Sequence, residues 1–161
     1  MKKDILLVLA LLVVNLAPAA AVASYSQPGN ISIQAGLGPS WGYGVGLNLQ
    51  AGIDWSLVQA LLTPEAPLDF GLSGRVGFFA PSTLNGAAFG TVHYSWKFLG
   101  SRWTLLDGME SYAGLGLQFL SSPSLTGYFG ASYHFEAPWA FFLETSAFEH
   151  GGPVFGASYL F

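Results

Sequence analysis

His93 and Ser95 stand two residues apart, between Thr91 and Lys97 at the same spacing. In an extended strand that spacing sets all four side chains on one face. A histidine base next to a serine hydroxyl is the pairing that acyl-transfer chemistry uses. Elsewhere the residues able to do chemistry are few: Asp54, Asp69, Arg75, His134, Glu136, Glu144 and the Glu149-His150 pair. His134 has Glu136 as its same-face neighbour, and Glu149-His150 is followed by two glycines. Neither supplies the three or four converging ligands of a stable metal site. The chain has no cysteine, which excludes disulfides and thiol catalysis. Its glycines alternate along apolar segments and do not lead into a helix, so no phosphate-cradling loop is read. No metal and no cofactor is expected.

These side chains must be carried by strands. From Tyr43 to Trp55 the odd positions are Tyr, Val, Leu, Leu, Ala, Ile and Trp, and the even positions are Gly, Gly, Asn, Gln, Gly and Asp. This is one long strand with an apolar and a polar side. It is longer than the about 9–11 residues with which a tilted strand crosses a bilayer. The same alternation predicts eight strands, at roughly 31–38, 43–55, 68–79, 86–98, 111–120, 125–136, 139–148 and 153–161. Clusters of Gly, Pro, Ser and Asn between them read as turns. The expected fold is all-β, an eight-stranded antiparallel up-and-down transmembrane barrel, apolar outside and polar and glycine-rich inside.

Composition decides which face is outside. Charged residues make up 9% of the 161-residue chain, against about 25% in an ordinary soluble domain. A water-facing sheet is rich in Lys and Glu, whereas the polar face here is mainly Gly, Ser, Asn and Gln. The apolar face therefore meets lipid, and closure into a barrel satisfies every strand edge there. At the N-terminus, Lys2 and Lys3 precede the apolar run Ile5 to Val14, Pro18 and Ala21-Val22-Ala23. That order describes a secretory signal peptide cleaved after Ala23, so 1–23 is the expected leader and 24–161 the expected barrel. The mature part carries three basic and eight acidic side chains, a net charge of −5. A basic patch for nucleic acid is absent.

Aromatic residues concentrate near strand ends on the apolar face: Tyr43, Trp55, Phe78, Trp96, Phe98, Trp139, Tyr159 and Phe161. Rings at such positions form girdles at the headgroup level. The last strand carries Phe155, Ala157, Tyr159 and Phe161 on that face. This ending resembles the C-terminal assembly signal of bacterial outer-membrane proteins. The mature chain as a whole resembles the small eight-stranded outer-membrane barrels of the OmpA and OmpX type in architecture and terminal signal. The resemblance implies a monomer in outer-membrane lipid, inserted by the outer-membrane assembly machinery, with both termini periplasmic. The connections at 38–42, 80–85, 121–124 and 149–152 would then be external and short. Those at 56–67 and 99–110 would be periplasmic and longer, the reverse of the usual pattern. Each of the longer pair is expected to form an ordered connection, such as a short helical turn or a folded cap over the mouth, with a docking surface for a periplasmic partner as the alternative.

Eight strands enclose a space that side chains just fill. Inward positions include Gly36, Gly44, Gly46 and Gly52 on the first two strands and Phe89, Tyr128, Phe142 and Phe148 further on. Bulk on one wall is expected to pack toward glycines on the other. Arg75, His93 and Glu144 fall at mid-depth, with Asp54, Asp69, Lys97, His134 and Glu136 nearer the periplasmic mouth. Buried charges must pair, so an Arg75–Glu144 pair with His93 adjoining is expected, within a polar plug.

A filled lumen predicts a non-enzymatic envelope protein of structural or interaction type, with a narrow pore or small-ligand channel as the alternative. The His93-Tyr94-Ser95 run is similar to the His-x-Ser of outer-membrane lipid A deacylases, which would imply a lipid A acyl hydrolase. Here both side chains fall on the inward face, and Trp96-Lys97 follow where that family has Asn-Ala-Gly.

Overall fold

A computed structural model describes residues 28–41, 45–63, 66–80, 83–96, 106–120 and 122–161. The expected leader, Tyr43, Gly44, Lys97, Phe98 and most of the 99–110 connection lie outside these residues. Eight strands follow in chain order: β1 (Ile31–Ser40), β2 (Gly46–Thr63), β3 (Ala66–Phe79), β4 (Thr83–Ser95), β5 (Met109–Gln118), β6 (Ser124–Glu136), β7 (Trp139–Glu144) and β8 (Val154–Leu160). Each pairs antiparallel with its sequence neighbour, and β1 pairs with β8, closing an all-β barrel. Closure leaves the sheet without a free edge, which lipid demands of any spanning β-structure.

The alternation read from sequence is the alternation of exposure. Leu37, Leu115, Leu117, Leu125 and Phe129 are each more than half exposed on the outer surface, while their chain neighbours turn inward. Of the charged residues within strands, Asp54, Asp69, Arg75, Glu110 and Glu144 are buried in the lumen. Only Glu136, the last residue of β6, is exposed.

Two segments depart from the expected bounds. β2 does not stop at Trp55 but continues to Thr63, and β3 begins at Ala66. The stretch 56–67 is therefore largely a strand ribbon, not a connection, a helical turn or a cap. A register shift between Ser56 and Val58 explains why alternation hides it. Leu57 and Val58 both face outward, and such a bulge resets the two-residue period without ending the strand. At the other end of the barrel, β7 stops at Glu144 instead of 148. The β7–β8 connection spans 145–153 and turns into the mouth, with Ala147 and Phe148 buried. Ser146 and Phe148 keep the inward parity of Phe142 and Glu144, so period 2 alone cannot tell an infolded loop from more strand.

Large inward side chains and glycines are not on opposite walls as expected. Cross-strand register sets Arg75 opposite Gly52, Tyr112 opposite Gly130, Tyr128 opposite Gly114 and Phe142 opposite Gly156. Each large side chain lies over the glycine beside it. A Cβ on Gly52 would come within 2.7 Å of the Arg75 side chain, and one on Gly130 within 2.7 Å of the Tyr112 ring. A narrow barrel has too little radius for side chains to meet across its centre in register. Lying flat on a glycine lets each one fill the lumen without collision.

Candidate functional site

The upper half of the lumen, away from the termini, is organised by Arg75, 1% exposed. Its Nη1 lies 3.0 Å from Asp54 Oδ1 and its Nη2 3.3 Å from Glu144 Oε2. Nε donates to Glu144 Oε1 at 3.3 Å, so the guanidinium grips Glu144 with two parallel donors, the fork geometry that suits arginine. Nη1 also donates to the carbonyls of Ile53 and Gly74. Nη2 donates to the Tyr128 hydroxyl at 3.1 Å, while the cation sits 4.6 Å from that ring's centroid. Gln34 and Gln50 each donate an amide hydrogen to Glu144, and Ser73 is 2.7 Å from the Tyr128 hydroxyl. The guanidinium and both oxygens of Glu144 are engaged, the condition under which buried charges are tolerated.

Arg75 and Glu144 were expected to meet, and they do. His93 does not adjoin them. It belongs to a second cluster nearer the termini, where its Nδ1 lies 3.0 Å from Glu110 Oε1. His134 Nε2 lies 3.1 Å from Glu110 Oε2, and 3.4 Å from Ser132 Oγ. One carboxylate is thus held between two imidazoles. The His93 ring stacks on Tyr112, centroids 5.3 Å apart and planes 21° apart. Asp69, in register with His93, is buried beside it. Asp54, expected near the mouth, lines the cavity there and also reaches Arg75. Glu136 stays outside both clusters, because a register shift between His134 and Glu136 ends the strand's alternation there.

Glu110 is the residue the sequence reading passed over. It was counted in the 99–110 connection, yet β5 begins at Met109 and extends the inward parity of Tyr112 back to it. Gln34, Gln50 and Ser73 were also missed, although inward parity on β1, β2 and β3 would have found them.

His93 and Ser95 share the inward face, and the His93 Nδ1 is bonded to Glu110. Ser95 is buried in the lumen wall, in register with Glu110. His134 and His150 are far apart in the fold, the second in the β7–β8 connection. Among the described residues no group of three His, Cys, Asp or Glu is arranged to hold a metal ion.

The two mouths differ. At the far one, Phe148 packs edge-on against Phe79, centroids 5.8 Å apart. Thr126 donates to the carbonyl of Ala147 at 2.6 Å, Gly152 donates to Pro39, and Ser40 bridges to Gly151. At the terminal side a cavity of about 60 Å³ remains, lined by both histidines, Glu110, Asp54 and Asp69.

Of the outward aromatics, Trp55, Phe78 and Trp139 are exposed, and Trp139 meets Tyr159 edge-on at 4.9 Å. Trp96 is half-buried and donates its indole hydrogen to Ser111 Oγ at 2.7 Å. In β8, Phe155 faces outward with Ala157 and Tyr159, and Phe161 follows the strand, exposed.

The chain is similar to a solved structure described as "De novo design of transmembrane beta-barrels". The TM-score is 0.58 at 16% identity, over 86% of this chain and 100% of that one. At that identity the likeness is one of fold. No protein-family model matches the chain, and no curated protein does. The fold is that of a transmembrane β-barrel, with an apolar outer belt and its charge held inside.

Proposed function

We propose that this chain is an integral outer-membrane barrel with a closed lumen, acting as a structural or interaction element of a bacterial envelope. The observation that carries this reading is the double closure of the lumen. The Arg75–Asp54–Glu144 cluster fills mid-depth, and Phe148 with Ala147 fills the far mouth. A path for ions would have to break a clamped ion cluster and displace a buried aromatic ring. The outer-membrane location is supported by the basic-apolar start of the chain and by the terminal Phe155–Phe161 pattern. On this reading both termini are periplasmic and the insertion machinery reads the last strand.

The acyl-hydrolase alternative is opposed by geometry. His93 and Ser95 point into the lumen, whereas a lipid ester would have to approach from the outer face. Lipid A from cells with and without the protein should give the same mass spectrum; a lost acyl chain would restore the enzyme. The main test is single-channel recording in planar bilayers. A closed lumen predicts a flat trace, and stable conductance steps from the wild-type chain would favour the pore.

A further inference from the structure

Among the described residues, β2 and β3 alone run past the terminal-side rim. The β1–β2 ladder ends at Ile31 and Trp55, with Gly29 and Asn30 still bonded to Ser56, and the β3–β4 ladder ends at Leu68 and Tyr94. Beyond Ser56, β2 continues against β3 through Val58–Phe70, Gln59–Asp69 and Ala60–Leu68 as far as Thr63–Ala66. The outer face of this ribbon continues the lipid-facing belt. Leu57, Val58 and Phe70 are exposed next to Trp55 and Leu72, and Ala60 is exposed after them. The register shift between Ser56 and Val58 sets this face. Unbroken alternation from Trp55 would turn Gln59 outward and Val58 and Ala60 inward; the bulge reverses all three. Gln59 lies instead on the inner face, opposite the buried Asp69.

Composition says what meets this face. From Trp55 to Pro64 the chain carries no charged residue, whereas a sheet face in water is rich in Lys and Glu. Yet the ribbon lies past the last pairs that close the barrel, so it is not part of the span itself. The layer that takes an apolar face on an element with a polar opposite side is the membrane interface, where such elements lie buried by about 5–10 Å. We propose that the ribbon seats Leu57, Val58, Ala60 and Phe70 in the boundary between headgroups and acyl chains of the terminal-side leaflet. The partner is a lipid surface, and the contact anchors one wall of the barrel at a fixed depth. The anchor needs the transmembrane fold but not the closed lumen, so a conducting barrel would leave it standing.

The chain has no cysteine, so Ala60→Cys gives a single thiol for an environment-sensitive fluorophore. The full chain is folded into phosphatidylcholine vesicles, with iodide on both sides of the membrane as the aqueous quencher. Parallel vesicles contain lipid with a nitroxide either near the headgroup or deep in the tail. Glu136→Cys, exposed at the end of β6 on the same rim, is the reference. The expected result is strong quenching at position 60 by the headgroup-near nitroxide and little by iodide, with the reverse order at position 136. Val58→Asp, added to Ala60→Cys, should bring iodide quenching back to the level of the reference. Iodide quenching at position 60 equal to that at 136 would overturn the anchor and leave the face to a protein partner. Strongest quenching by the deep nitroxide, or shielding from iodide that survives Val58→Asp, would also overturn it.

Discussion

The two ends of this barrel solve one problem in opposite ways. Eight strands leave a narrow lumen whose mouths must be either filled or wetted. The far mouth is filled by chain: 145–153 folds inward, Phe148 packs on Phe79, and Thr126, Ser40 and Pro39 satisfy the backbone that turning in would otherwise strand. The terminal mouth is wetted, with two histidines, three carboxylates and five hydroxyls around a small cavity. Between them stands the Arg75 cluster. The contrast teaches that an infolded loop needs backbone partners as much as an apolar tip, because each buried polar group of the main chain must be met. A wetted mouth has no such need.

The partition should be the most sensitive part. Arg75→Ala leaves Asp54 and Glu144 buried without their cation, and breaking a buried pair from one side costs about 3–5 kcal/mol. Urea unfolding in lipid vesicles, followed by the mobility of folded and unfolded bands in gels, measures this. Replacing all three charges together, with Arg75→Met, Asp54→Leu and Glu144→Leu, should cost less than the single change. If the triple variant is the weaker one, the cluster is a net source of stability and not only a tolerated burial.

Next comes the plug. Phe148→Ala removes a buried ring and should cost about 3 kcal/mol, in the range for aromatic truncation in a core. Amide exchange should quicken across 145–153 and remain slow around Glu110. Uniform quickening would show that the two mouths are not separate cooperative units.

A third change probes how the wall admits bulk. Gly52→Ala would set a Cβ 2.7 Å from Arg75 Cδ and Nη1, forcing the guanidinium off its two carboxylates. The expected cost is about 1–3 kcal/mol, as for other overpacked interiors. Gly74, on the neighbouring strand and facing outward, has Ile53 Cγ2 at an ordinary 3.5 Å. Gly74→Ala should therefore be nearly neutral in the same urea assay. Equal losses would mean that the inward glycines are not what seats the large side chains.

How far the residues spoke for themselves follows from what period 2 can and cannot encode. It tells which face a side chain takes, so the outer belt from Ile31 to Phe161 and the inward set with Arg75 and Glu144 were legible. It says nothing of depth, which depends on how each strand slips past the next around the closed barrel. Hence His93, expected beside Arg75, lies on Glu110 instead, while Asp54, expected at the mouth, lines the terminal-side cavity and also reaches up to Arg75. Breaks in the period mislead in both directions. The bulge at Leu57 hid the extension of β2, and the continued inward parity of Ser146 and Phe148 disguised a loop as strand. Glu110 was lost for a simpler reason: the strand that carries it begins two residues before the first clear alternation.

The smallest prediction sets one hydroxyl at each mouth against the other. Thr126 Oγ1 donates at 2.6 Å to Ala147, a carbonyl of the plug. Ser132 Oγ lies 3.4 Å from His134 Nε2, beside a cavity that water can enter. Thr126→Val keeps the side-chain shape and strands a buried carbonyl, so it should cost about 1 kcal/mol. Ser132→Ala removes a long contact whose partner retains Glu110, so its cost should fall within the about 0.5 kcal/mol scatter of changes that touch no special feature. The same urea series reads both. A larger loss for Ser132→Ala would reverse the comparison and make the wetted mouth, not the filled one, the better ordered end of the barrel.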